Sequence, residues 1–172
     1  MQALIRHAES QSGVSREESL EIDTANLFDR LGEDTIVRIS EAFYDGVFQD
    51  EEWFRSIFSS STKKEAVRNQ ARDSADFLIE RLGGPKVYTA RKGKHHRIIG
   101  RHAPYAVTPK AADRWLEHME AALAAEEGVD AQSREVLTKY FRHMAHFLVA
   151  GKELTNPTHL IDYHNKMSQQ HE

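Results

Sequence analysis

The sequence predicts an all-α fold, and three observations carry that reading. Apolar residues recur at three- and four-residue intervals along most of the chain. The gaps between these stripes hold helix-stopping and helix-starting residues. No stretch shows a convincing two-residue alternation of a half-buried strand. With 172 residues, the chain suits one domain with room for a core or a cofactor.

Residues 1–22 are polar and acidic and read as an N-terminal extension, part helical, with a capping box at Ser15 and Glu18. Asp23 or Thr24 is placed to cap a short helix bearing Leu27, Phe28 and Leu31, which Gly32 stops. A second helix starts near Asp34 and aligns Ile36, Ile39, Phe43 and Val47, with Tyr44 at the edge of the stripe. Trp53, Phe54, Ile57 and Phe58 form an apolar corner that the run Ser59 to Thr62 breaks. A longer helix then runs from Lys63 to Leu82. Gly83-Gly84-Pro85 ends it, because glycine accepts the left-handed cap and proline blocks resumption.

A basic loop is expected from Arg91 to Arg101. Thr108-Pro109 then opens a helix, as a cap followed by proline in the first turn. Its apolar side carries Trp115, Leu116, Met119, Ala122 and Leu123. The last long helix, about 131–150, carries Val136, Leu137, Tyr140, Phe141, Met144, Phe147 and Leu148 and is expected to end at Gly151. The predicted organisation is an extension over 1–22, a domain over 23–153 and a polar tail over 154–172.

Composition removes several classes of function. A net charge of −4 gives no general attraction to nucleic acid or membranes. The absence of cysteine excludes disulfides, iron–sulfur clusters and thiolate ligation of zinc or haem. Phe147 to Ala150, the longest apolar stretch, is too short to span a bilayer. The N-terminus lacks the uninterrupted apolar region of a secretory signal, so a cytoplasmic protein is expected.

Residues 83–119 hold the densest chemical signal, centred on His102 and Trp115. His102 lies between Gly100-Arg101 and Pro104, a short segment suited to holding an axial ligand for haem iron. The opposite face of such a pocket must stabilise negative charge on a bound diatomic ligand. A phenol O–H and an indole N–H do this from rigid rings, and Tyr44 and Trp115 can supply them. Phe58, Phe77, Leu78 and Met119 are available to exclude water.

Other readings of the polar residues are weaker. His95, His96 and His102 lack a fourth ligand at zinc-site spacing. His143 and His146 are spaced to chelate a metal, but one partly buried and one solvated histidine is the better expectation. Phosphate binding by the Arg91 to Arg101 loop lacks interleaved aromatics for RNA.

The motifs Phe43-Tyr44, Trp53-Phe54 through Phe58, Gly83-Gly84-Pro85 with Tyr88, Arg101-His102 with Pro104, and Arg114 to Met119 occur together at specific spacings. With Phe141 through Gly151, they make the chain resemble the group II truncated, two-over-two haemoglobins of plant type, over roughly residues 1–156. The resemblance implies a two-over-two helical sandwich around haem b with His102 as proximal iron ligand. It implies Tyr44 and Trp115 as distal donors, Phe58 as a wedge against the haem, and Tyr88 and Arg101 at the propionates. The basic residues Arg91, Lys92, Lys94, Arg97 and Arg101 fit that last role.

The sequence departs from the family pattern in three places. The helix from Lys63 to Leu82 carries about one extra turn. Counting from its start puts Ala66 at the small gate position and Gln70 at the distal position; counting back from Gly83 puts Gln70 and Ser74 there. All three share a stripe with Phe77 and Leu78, and Gln70 is favoured near the iron. Gly93-Lys94-His95-His96 replaces Gly-His-Pro, and Tyr105 replaces phenylalanine.

The resemblance implies reversible binding of dioxygen, carbon monoxide or nitric oxide, for storage, transport, scavenging or sensing. The runner-up is a haem enzyme performing nitric-oxide dioxygenation, nitrite reduction or peroxidase-like chemistry. No flavin or reductase motif accompanies it, so turnover would require an external reductase. A homodimer is compatible with the family, although no surface feature of the sequence demands one.

Overall fold

The computed structural model describes residues 2–53, 64–93, 102 and 107–155. Helix α1 spans Gln2–Ser12, α2 spans Arg16–Ser19, and a 3-10 turn covers Glu21–Asp23. Helix α3 runs over Leu27–Gln49, α4 over Lys64–Arg81 and the short α5 over Val87–Lys92. Helices α6, Pro109–Ala125, and α7, Ala131–Thr155, complete the described elements, none of which is a strand.

Two helix pairs, α3 with α4 and α6 with α7, stack through contact between α3 and α6. The predicted stripe on α3 supplies Ile36, Ile39, Phe43 and Val47 to the core, with Tyr44 half-buried beside them. From α6 come Leu116, Met119, Ala122 and Leu123, and from α7 Val136, Leu137, Tyr140 and Phe141. Thr108 caps α6 as expected, its hydroxyl accepting the Ala111 N–H at 3.1 Å with Pro109 in the first turn.

The Gly83-Gly84 pair does two different jobs. Gly83 takes φ +102°, and its N–H and that of Gly84 donate to the carbonyls of Glu80 and Ile79. This is the Schellman pattern that satisfies the last carbonyls of α4. Gly84 is needed for space: a Cβ there would lie 2.6 Å from Phe28 Cδ2 and 2.8 Å from the Ile79 carbonyl oxygen. Phe28 also donates its N–H to the Leu82 carbonyl at 3.0 Å, so the start of α3 is latched to the end of α4.

Two sequence expectations need correction. Neither Asp23 nor Thr24 caps α3; Asn26 stands at that position in the left-handed region, without a side-chain cap bond. Asp23 is drawn instead to Arg81, and Thr24 donates to the Glu21 carbonyl. Gly32, at φ 76° and ψ 161°, is non-helical and divides α3 into two helical stretches, as expected. Finally, α7 does not stop at Gly151 but continues to Thr155. Its glycine penalty, about 1 kcal/mol, is offset by packing against the extension, where His7 pairs with Glu153 at 3.1 Å.

The extension is therefore a structured back to α7. Ser15 and Glu18 form the expected reciprocal capping box. Ala8, Val14 and Ile22 are buried, and the Val14 carbonyl lies 3.2 Å from His143 Nδ1. Both His143 and His146 are buried, at 6% and 8% exposure, so the expectation of one solvated histidine is wrong. The extension covers the helix face that would otherwise meet water.

Candidate functional site

Between the helix pairs lies a cavity of about 360 Å³, within the range of about 300–1,000 Å³ usual for small-molecule sites. Helix α3 contributes Phe43, Tyr44 and Val47, and Trp53 stands just beyond it. Helix α4 contributes Gln70, Asp73, Ser74, Phe77 and Leu78, and α5 contributes Tyr88. From α6 come Ala111, Ala112, Trp115 and Met119; from α7 come Tyr140, Phe141, Met144, Ala145 and Leu148. His102 supplies an imidazole to this mainly apolar lining.

Packing holds the aromatic wall in place. Phe43 meets Tyr44 edge-on with centroids 4.9 Å apart, and Trp115 at 5.0 Å. The other side of Trp115 meets Phe141 at 5.5 Å. An indole held between two rings loses rotamer freedom before any ligand arrives. Across the cavity, Phe77 and Tyr88 make a T-shaped pair at 5.4 Å.

The predicted site residues thus converge where the structure describes them. His102, Tyr44, Trp115, Gln70, Ser74, Phe77, Leu78, Tyr88 and Met119 all line this one cavity. Gln70 and Ser74 both reach it, and with Asp73 they give α4 three polar side chains in the lining. Phe58, Arg101 and the side chain of Ala66 lie outside the described residues, as do Tyr105 and the pair His95-His96.

One charged prediction is corrected. Arg91 and Lys92 belong to α5, not to a loop, and they already hold carboxylates of α4. Arg91 meets Asp73 at 2.7 Å and also pairs with Asp76, while Lys92 meets Asp73 at 2.8 Å. Burial disfavours the charged guanidinium of Arg91, but the fields of Asp73 and Asp76 outweigh it and raise its pKa. Glu80 completes the arrangement, its carboxylate accepting the Thr89 N–H at 2.7 Å and the Thr89 hydroxyl proton. An acidic stripe on α4 thus caps the start of α5 and neutralises its basic end.

One cavity residue and one contact beside the cavity were not legible as such in the sequence. Tyr140 read as core, yet it also lines the cavity, with the Arg81 guanidinium 5.0 Å from its ring centroid. Burial raises its pKa, despite opposing effects from the neighbouring Arg81 charge and hydrogen bond. The Asp50 carboxylate, just past α3, receives Arg114 and His118 from α6, contacts that no local pattern announces.

A helical sandwich closed over an apolar cavity with an imidazole in its lining is the architecture of a prosthetic-group protein. The bacterial-like globin family model matches residues 26–150. Two-on-two hemoglobin-3 of Arabidopsis thaliana is 49% identical over 91% of this chain and 87% of its own length. Group 2 truncated hemoglobin 3-1 of Lotus japonicus is 43% identical over 91% of this chain and 90% of its own. Among solved structures, the hemoglobin of Chloroflexus aurantiacus is 34% identical with a TM-score of 0.60, covering 69% of this chain and 92% of that one. The chain belongs to the globin family, as a group 2 truncated haemoglobin of plant type.

Its function is haem-based binding of dioxygen and other small ligands. The cavity fits a haem on its own chemistry. Its walls are aromatic and aliphatic, as a flat macrocycle requires, and His102 offers the nitrogen donor that globin iron uses. Among the described residues, no helix is long and apolar enough to cross a membrane.

Proposed function

We propose that the cavity holds haem b with His102 as the proximal iron ligand, and that the protein reversibly binds dioxygen, carbon monoxide and nitric oxide. The observation that carries this reading is the convergence of His102, Tyr44 and Trp115 on one apolar cavity. When bound, haem supplies the iron at which a diatomic ligand is held and released.

The chain's own residues account for the rest. His102 presents a neutral ring nitrogen and anchors the group. Tyr44 and Trp115 donate hydrogen bonds toward the negative end of the ligand, from rings that Phe43 and Phe141 hold still. Gln70 and Ser74 add polar contacts from α4, with Ala66 or Gln70 at the family's gate position. Phe77, Leu78 and Met119 exclude water, and the family resemblance assigns Phe58 the wedge position against the haem. Tyr88 meets the propionates, and the family resemblance assigns Arg101 the same role. A cytoplasmic setting accords with this role, and any redox turnover of nitric oxide would draw on a separate reductase.

Optical spectra of the ferric, ferrous and oxygen-exposed protein test the reading directly. A Soret band and a stable oxygen-dependent spectrum are expected, and His102→Ala should abolish stable haem retention. Wild-type spectra in that variant would move the iron ligand to another residue.

A further inference from the structure

Helix α3 ends at Asp50, and three donors converge on that carboxylate. Arg114 Nε and His118 Nε2 donate to Oδ2 at 2.5 and 2.9 Å. The Trp53 N–H donates to Oδ1 at 3.3 Å. The Asp50 and His118 side chains are only 12% and 14% exposed, so water competes poorly for these bonds. Burial alone would raise the Asp50 pKa, but the hydrogen bonds from Arg114 and His118 outweigh it and lower the value.

The fit around His118 is close on both sides. Residue 46 of α3 is glycine, and a Cβ there would lie 3.2 Å from His118 Nδ1. The Trp53 ring packs against the imidazole with centroids 5.5 Å apart. Thus α3 and α6 are tied by a half-buried ion pair, a close approach and a ring contact at one point. These same helices carry Tyr44 and Trp115, and Trp115 lies between Arg114 and His118 in sequence. Phe43 packs against both rings, so the two donors share one neighbour.

We propose that Asp50, Arg114 and His118 are positioning residues that set the relative placing of Tyr44 and Trp115 in the cavity wall, and so tune the hydrogen bonding offered to a bound diatomic ligand. The proposal rests on the haem-pocket reading above. A charge-assisted clasp suits the task, because a hydrogen-bond donor loses most of its effect when displaced or tilted. None of its three residues lines the cavity, so the clasp acts through the helices it joins.

The test uses the full-length haem-loaded protein. The C–O stretching frequency of the carbon monoxide form reports the field at the ligand, and thermal unfolding reports stability separately. Tyr44→Phe and Trp115→Phe serve as references and should raise that frequency. Asp50→Asn should move or split the band toward the reference positions and speed oxygen dissociation roughly three- to tenfold, as expected for a partly lost hydrogen bond. Gly46→Ala crowds His118 from the other side while favouring the helix. It should shift the band in the same sense, and it decides the matter if Asp50→Asn does not fold. Variants that melt earlier but keep the wild-type band and oxygen off-rate would overturn the clasp. If neither reference variant moves the band, the haem-pocket reading falls and the clasp with it.

Discussion

The two long edges of the cavity are held by different forces. On the α6–α7 edge, Leu116, Met119, Leu123, Leu137 and Phe141 are buried in one apolar cluster. On the α4–α5 edge, polar contacts carry much of the join: Glu80 caps Thr89, and Asp73 and Asp76 hold Arg91 and Lys92 at partly exposed sites. Burial of apolar area is insensitive to salt and strong per residue. Exposed ion pairs are weak and screened. One edge is therefore a fixed wall, and the other, which leads toward His102, is more easily loosened by solution conditions.

The largest break in this comparison should come from Leu123→Ala on the apolar edge. Leu123 is 1% exposed, and truncating such a leucine costs about 2–5 kcal/mol. A shifted urea midpoint with an unchanged slope would report it; a loss below about 1 kcal/mol would mean that this wall collapses around the gap.

An intermediate effect is expected from pH, at the seam between α7 and the extension. His146 is buried, and its Nδ1 has no hydrogen-bond partner among the described residues. Burial lowers its pKa; Asp113, 3.9 Å away, opposes this, while His7, Arg142 and His143 reinforce it. A lowered pKa in the folded chain means that the unfolded chain binds the proton more readily. Stability should therefore fall as pH drops below the ordinary histidine value of about 6.5, until the lowered folded value is passed. Urea midpoints on either side of that window should differ less in His146→Leu than in the parent. Equal differences would assign the acid sensitivity to other groups.

The smallest effect should follow from Asp73→Asn combined with Asp76→Asn on the polar edge. Global stability should change by less than about 1 kcal/mol for each pair. Amide hydrogen exchange in α5 should quicken, and high salt should largely erase the difference from the parent. A large, salt-independent loss would make this edge a second apolar wall and remove the contrast.

Local signals in the chain were sufficient for much of the fold. The stripe on α3, the glycine pair after α4 and Thr108-Pro109 each specify structure through neighbours within a turn or two. The same holds for the convergence of Tyr44, Gln70, Ser74 and Trp115, which follows from helix faces once the helices stack. Misread features depended on partners far along the chain. Gly151 remains helical because the extension packs there, and His143 and His146 are buried for the same reason. Arg91 and Lys92 looked available for propionates until α4 supplied Asp73 and Asp76. Asp50 gains its importance only when α6 brings Arg114 and His118 to it.

The contact of Gly84 with Phe28 constrains the two positions unequally. A side chain at 84 would need the volume that the phenyl ring fills, and it would also press on the Ile79 carbonyl oxygen 2.8 Å away. Slimming residue 28 removes the first obstacle and leaves the second, which is backbone. In lineages descended from this chain, the glycine should therefore outlast the phenylalanine.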